Sequence, residues 1–147
     1  YYNGITGPEQ NTNNTNRRTV HEANLSYAFD DNISFAVDGL IGMETDALGA
    51  GANGEWFSVV GYAGVKLTDW FKFNPRVEYF KDKAGSRLSA TAGVIAVTTT
   101  GVFKLSEGAE FRLEGRWDKA DSAIFSKANG DTLDTRYSLT AALLFTL

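Results

Sequence analysis

Hydrophobic and polar residues alternate along most of this chain, most clearly between Leu67 and Lys83. After a tight Thr68-Asp69 turn, Phe71, Phe73, Pro75, Val77 and Tyr79 point one way, and Lys72, Asn74, Arg76, Glu78 and Phe80 the other. A period of two predicts a β-strand. One face of this strand is apolar and the other carries charge, so the strand separates an apolar medium from a wet one. The apolar medium is either a protein core or a lipid bilayer.

The same pattern predicts six further strands. The first full one, about Arg17 to Phe29, groups Ala23, Leu25, Tyr27 and Phe29 against Glu22, Asn24 and Ser26. About Ile33 to Glu44, the residues Ile33, Phe35, Val37, Ile41 and Met43 oppose Asp38 and Glu44. About Glu55 to Leu67, the group Phe57, Val59, Ala63 and Val65 opposes Trp56, Ser58, Tyr62 and Lys66. A Thr-rich strand, about Val94 to Leu105, sets Ile95, Val97 and Phe103 against Thr98, Thr100 and Lys104. About Ala109 to Lys119, Phe111, Leu113 and Trp117 face away from Glu110, Arg112, Glu114, Arg116 and Asp118. The last strand, about Leu133 to Leu147, groups Tyr137, Leu139, Leu143, Phe145 and Leu147. Tyr1 to Asn16 reads as a strand end followed by a polar loop. No helix is predicted.

The predicted connections are asymmetric. At one end they are short, at Asp30 to Asn32, Thr68 to Asp69 and Ser106 to Gly108; at the other they are long and rich in Gly, Ala, Asn and Ser. Outer-membrane barrels have short periplasmic turns, long outer loops and strands of roughly 9 to 11 residues.

Composition narrows the choice. The chain has 147 residues, 43% of them hydrophobic and 22% charged, which suits one ordered domain. It has no cysteine, so no disulfide or thiolate metal site is available. A net charge of −4 with both signs interspersed argues against a nucleic-acid surface. A mean hydropathy of −0.23 and no 18-residue apolar run exclude a membrane helix but not membrane strands, whose hydropathy averages near zero. No signal peptide is visible at Tyr1, so one was either removed or precedes the residues given.

A soluble sandwich or lipocalin-like barrel is the plain reading of alternating strands. Three features favour lipid. Opposed charges within single strands suit a wet lumen where neighbours pair across strands. Aromatic residues gather at two heights, with Tyr27, Phe29, Phe71, Phe73, Phe103 and Phe145 near the short turns and Tyr79 and Trp117 towards the long loops. Such belts mark membrane interfaces. The chain also ends on an alternating strand.

Enzyme readings find little support. His21 is the single histidine, and its plain reading is a rim or interfacial side chain. Gly49 to Gly54 lacks the Lys-Ser/Thr ending of a phosphate loop. Glu110 and Glu114 alternate with arginines, which suits charge pairing better than acid/base work. Asn129-Gly130-Asp131 lacks the spaced acids of a calcium loop and reads as a hairpin turn.

The polar face is therefore the candidate site. Lys66, Lys72, Arg76, Lys104, Arg112, Arg116 and Arg136 stand against Asp38, Glu44, Glu78, Glu110, Glu114 and Asp118 as candidate pore-lining residues. Opposed rows of charge screen solutes by size and sign. Arg76, Arg112, Arg116 and Arg136 are expected to approach one another on the wall of the last four strands and give a modest anion preference; equally, these charges could serve only to stiffen the wall.

The runs Leu67-Thr-Asp-Trp-Phe-Lys-Phe-Asn-Pro-Arg-Val-Glu-Tyr-Phe-Lys-Asp and Leu105-Ser-Glu-Gly-Ala-Glu-Phe-Arg-Leu-Glu-Gly-Arg-Trp-Asp-Lys, with the early Tyr2-Asn3-Gly4 and Gly7-Pro8-Glu9-Gln10, resemble the C-terminal part of the putative beta-barrel porin-2 family of Gram-negative outer membranes. The resemblance implies an all-β fold, an antiparallel up-and-down transmembrane β-barrel in the bacterial outer membrane. It implies passive diffusion of small hydrophilic solutes and ions, without cofactor. Two departures stand beside it: the chain ends in Leu147 rather than an aromatic residue, and a family member is much longer.

Residues 1–147 are accordingly expected to form a single β-barrel domain or the C-terminal portion of one. Tyr1 is expected at the outer rim, with at least one further strand before it. Expected partners are outer-membrane lipid, small hydrophilic solutes, and either further strands or a second copy. The alternatives are a plugged barrel serving as anchor or scaffold, and a soluble β-barrel or sandwich that binds an apolar ligand.

Overall fold

The computed structural model describes residues 1–146, so the position given to Leu147 in the last strand lies outside the described residues. The strands are β1 (Tyr2–Pro8), β2 (Arg17–Ala28), β3 (Ile33–Glu44), β4 (Gly54–Lys66), β5 (Phe71–Asp82), β6 (Ala92–Ser106), β7 (Ala109–Ala120), β8 (Phe125–Ser126), β9 (Thr132–Leu133) and β10 (Thr135–Phe145). The described residues contain no helix. Eight strands form one sheet in the order β1-β2-β3-β4-β5-β6-β7-β10, every neighbouring pair antiparallel.

Seven of these strands follow the alternation closely, and the eighth corrects it. The strand end read within Tyr1 to Asn16 is a full strand: Tyr2–Pro8 pair with Arg17–Ala23 of β2 along their whole length. Their alternation is weak, because Gly4 and Gly7 place no side chain on either face, and only the ladder to β2 reveals them. Tyr1 is not at the outer rim. Its backbone exchanges hydrogen bonds with Asn24, more than halfway along β2 from the long-loop end.

The long segment after β7 carries a β8–β9 hairpin at the turn read from Asn129-Gly130-Asp131, though its two short strands are not foreseen. It closes at Asn129-Gly130, where Gly130 has φ +89° and the Asp131 N–H meets Asn129 Oδ1. Only glycine enters that backbone region at no steric cost.

The connection asymmetry is as the alternation predicts. Segments 29–32, 67–70 and 107–108 link strands at one end; 9–16, 45–53, 83–91 and 121–134 link them at the other. Local chemistry tightens the short turns. Asp30 Oδ1 accepts the N–H groups of Asn32 and Ile33 at 2.7 and 2.8 Å. Lys66 pairs with Asp69 at 2.6 Å and Lys104 with Glu107 at 2.7 Å. Those lysines hold both turn carboxyls below their ordinary range.

The backbone pairing fixes which residues share a face. One cross-sheet row reads Leu25, Val37, Gly61, Val77, Val97, Trp117, Tyr137. The row beside it on the opposite face reads Asn24, Asp38, Val60, Glu78, Ala96, Asp118, Arg136. Leu25, Val37, Val77, Tyr137 and Leu139 of the apolar face are exposed, whereas Val60, Ala96, Thr98, Val102 and Asp118 of the polar face are buried. A single layer can bury one face only by curling around it, as twisted sheets do. The polar face is thus concave and the apolar face convex.

Two irregularities bend the sheet. Pro75 has no N–H, and the β4–β5 ladder skips the positions between Tyr62↔Arg76 and Val65↔Phe73. A bulge between Lys104 and Ser106 interrupts the β6–β7 register beside the turn.

On the convex face near the short turns, Trp70, Phe71, Phe103 and Phe111 stack in a band, with Phe71 and Phe103 at 4.8 Å between ring centres. Phe57 and Tyr79 form an edge-on pair towards the other end.

On the concave face the Trp56 indole lies flat against Gly42, where an added Cβ would overlap it. Gly42→Val is therefore expected to lower stability by about 1–3 kcal/mol, with Trp56 fluorescence shifting to the red as the ring is pushed into water. An unchanged spectrum and an unchanged unfolding midpoint would contradict that packing.

Candidate functional site: the charged concave face

Because side chains alternate along each strand, every second residue of β3 to β7 and β10 projects into the concavity, and the register aligns them in tiers. All thirteen residues singled out from the sequence project to this side. They do not form one cluster. They divide into a central network, a group at the short-turn end, and two scattered acids, with Glu44 apart from all three.

The central network runs across β5, β6, β7 and β10. Arg76 Nη2 lies 3.7 Å from Glu78 and 3.4 Å from the Thr98 hydroxyl. Arg116 donates to Glu78 at 3.4 Å and to Asp118 at 2.8 Å through Nε. Arg136 donates to Asp118 through Nε at 3.1 Å and Nη2 at 3.0 Å. Each carboxylate serves two arginines, and Asp118 is only 1% exposed. Arg76, Arg116 and Arg136 do come together, held apart from direct contact by the acids between them. Arg112 does not join them; it pairs with Glu110 on its own strand.

At the short-turn end stand Lys66, Lys72, Lys104, Glu110 and Arg112. Lys66 and Lys104 turn towards the acids of the adjacent turns, and Lys72 has no ion-pair partner among the described residues. Of the remaining acids, Glu114 accepts from the Thr100 hydroxyl at 2.8 Å and Asp38 from Asn24 at 3.5 Å.

Glu44 belongs to a different group, at the long-loop end, whose other members the alternation does not single out. Arg18 donates to Glu44 through Nε at 3.0 Å, and Arg87 reaches the same carboxylate from the β5–β6 loop. The Arg87 guanidinium also lies 3.8 Å from the Trp56 ring centre. Arg87 sits in a Gly/Ser-rich loop with no periodicity, so no strand pattern places it. Arg18 is legible as the polar-face neighbour of Val20, Glu22 and Asn24.

His21 lies on the convex face, where its Nδ1 and the Tyr2 hydroxyl share a 2.6 Å hydrogen bond. No three metal-ligating side chains converge among the described residues. The arrangement gathers many fixed charges, mostly paired, on one face of the sheet.

No curated protein and no solved structure matches the chain. A family model described as "Putative beta-barrel porin-2, OmpL-like" matches residues 1–147. The sheet is an antiparallel meander with a charged concave face and an exposed apolar face, and the chain belongs to the putative beta-barrel porin-2, OmpL-like family.

Proposed function

We propose that the protein is a porin of the bacterial outer membrane through which small hydrophilic solutes and ions diffuse passively, with no covalent step and no cofactor. The observation that carries this reading is the inversion of the sheet. In water the apolar face would be the buried one; here it is the exposed one, banded by aromatic residues, while charge is gathered in the concavity. The thirteen concave residues named from the sequence then line the pore, and residues 1–147 form one barrel unit or a portion of one.

The edges of β1 and β10 are not paired with each other among the described residues. Each unmet backbone group costs several kcal/mol in lipid, so the functional form must close them. We take the sheet as one wall of a larger closed barrel, with β1 and β10 as the edges to which its remaining strands pair.

Single-channel recording in a planar bilayer, with mass determination on the same sample, tests the reading. Discrete ion-conducting steps from a species heavier than 16.0 kDa are expected; detergent-independent solubility without conductance would return the chain to the soluble class. On the pore reading, Arg112→Gln is expected to move the reversal potential in a salt gradient towards cations, because Arg112 is exposed, is paired with one half-buried acid, and its loss disturbs little else. A preference for cations in the unaltered protein, unchanged by neutralising Arg112 and Arg116, would refute the anion preference.

A further inference from the structure

We infer that the β5–β6 connection, residues 83–91, is folded inward as a constriction at the long-loop mouth, and that Arg87 is the side chain through which it discriminates charge. This rests on the pore reading above.

A nine-residue surface loop ordinarily stands out in water. This one is turned back at its stem. Asp82, the last residue of β5, points into the concavity and is 0% exposed. Its Oδ1 accepts the N–H groups of Ala84, Gly85 and Ser86 at 3.2, 2.8 and 3.1 Å, and its Oδ2 those of Arg87 and Leu88 at 2.6 and 2.8 Å. Five consecutive donors converging on one carboxylate wrap the chain around it. Gly85 takes φ +81°, and a Cβ there would press within 3.2 Å of the Ala90 backbone, so the fold-back needs glycine.

The tip is held by a second, independent anchor. Gly42 admits the Trp56 ring against the wall, and Arg87 stacks on that ring while reaching Glu44, which is also held by Arg18. A planar guanidinium can stack and pair at once, which an ammonium does not. Ser86 packs against the neighbouring 45–53 loop: its Cβ and that of Ala47 lie 2.8 and 2.9 Å from one point above Gly54. The loop is thus fixed to β3, β4 and the adjacent loop.

Arg18, Arg87, Glu44 and Asp82 carry formal charges that cancel. Loss of Arg87 leaves an excess of negative charge at the mouth and removes the side chain that ties the loop to Trp56 and Glu44. Arg87→Ala is therefore expected to raise unit conductance and shift the reversal potential towards cations. Arg87→Lys is expected to raise conductance while keeping the charge preference.

The decisive variant uses the cysteine-free background: Ala47→Cys with Ser86→Cys, recorded before and after oxidation. Rapid crosslinking with conductance unchanged from the parent protein is expected, because the loop already lies there. A large drop in conductance on oxidation, or failure to crosslink in a folded barrel, would show that the loop stands elsewhere and overturn the inference. A conducting parent protein whose Arg87→Ala variant has the same conductance and reversal potential would overturn it alone; a parent protein without conductance overturns the pore reading and the constriction together.

Discussion

Asp118→Ala is expected to destabilise the folded protein by about 3–5 kcal/mol, the range for removing one partner of a buried ion pair. Asp118 is 1% exposed and is the only acid bridging Arg116 to Arg136 among the described residues. Without it, Arg116 keeps a single acid, Glu78 at 3.4 Å, a carboxylate already shared with Arg76, and the Thr98 hydroxyl. Arg76 and Arg116 would then share one acid while Arg136 loses its acidic partner, and like charges repel most where water is scarce. Arg136 is the most exposed of the three, so water relieves part of its loss and places the effect towards the lower end. Asp118→Asn, which keeps an acceptor oxygen in place, is expected to cost less than Asp118→Ala. Urea unfolding followed by the electrophoretic shift between folded and unfolded barrel gives the measurement; a difference below about 1 kcal/mol would mean that the network stabilises little beyond its solvated parts.

Val77→Arg is the second large effect, an expected loss of about 2–4 kcal/mol for a cation near the bilayer midplane on the lipid side. Val77 is central in β5 and in its row, and 53% exposed. This substitution separates the two media sharply. On a water-facing surface, an arginine at so exposed a position would change stability by within about 0.5 kcal/mol. In lipid, the same guanidinium must snorkel past the aromatic bands or draw water with it. Asn74→Arg, three residues away in β5 on the concave face, is the internal comparison and is expected to change stability little. Equal tolerance of both substitutions in a lipid bilayer would place Val77 out of lipid and remove the main support for a membrane wall.

The elements legible in the sequence share one property: their identity depends on side-chain alternation alone. Alternation places β3 at its observed bounds, and the other six full strands within about two residues. It reads β1 only as a strand end, because two of that strand's seven residues are glycines and the pattern there has little contrast. The Tyr1 position follows from that: with Tyr1 to Asn16 read only as a strand end and a loop, the strand count puts Tyr1 at the long-loop rim, whereas the full strand brings it back to the level of Asn24. The β8–β9 hairpin is too short for any periodicity, although its Asn129-Gly130 turn is legible by composition.

The candidate site divides in the same way. That Glu78, Arg116 and Asp118 share a face is readable from their spacing. Which acid serves which arginine is not, because partners lie on different strands and depend on register. Spacing sets Arg112 beside the other arginines, yet Glu110, two residues away on the same face, lies nearer. The role of Asp82 is invisible in the sequence for a further reason. It reads as one more polar residue beside a turn, and its significance lies in five backbone N–H groups that converge only once the following loop has folded back.

By itself, then, the sequence determined that this is a β-meander with one apolar and one charged face and with short and long connections segregated to opposite ends. A period of two is a local property, set by the geometry of an extended backbone. Folding is what makes the charged face the concave one, sets three arginines around Glu78 and Asp118, and turns residues 83–91 onto Trp56 and Glu44. Each of these depends on the direction of sheet curvature or on contacts between residues far apart in the chain, and neither curvature nor register is carried by any one strand.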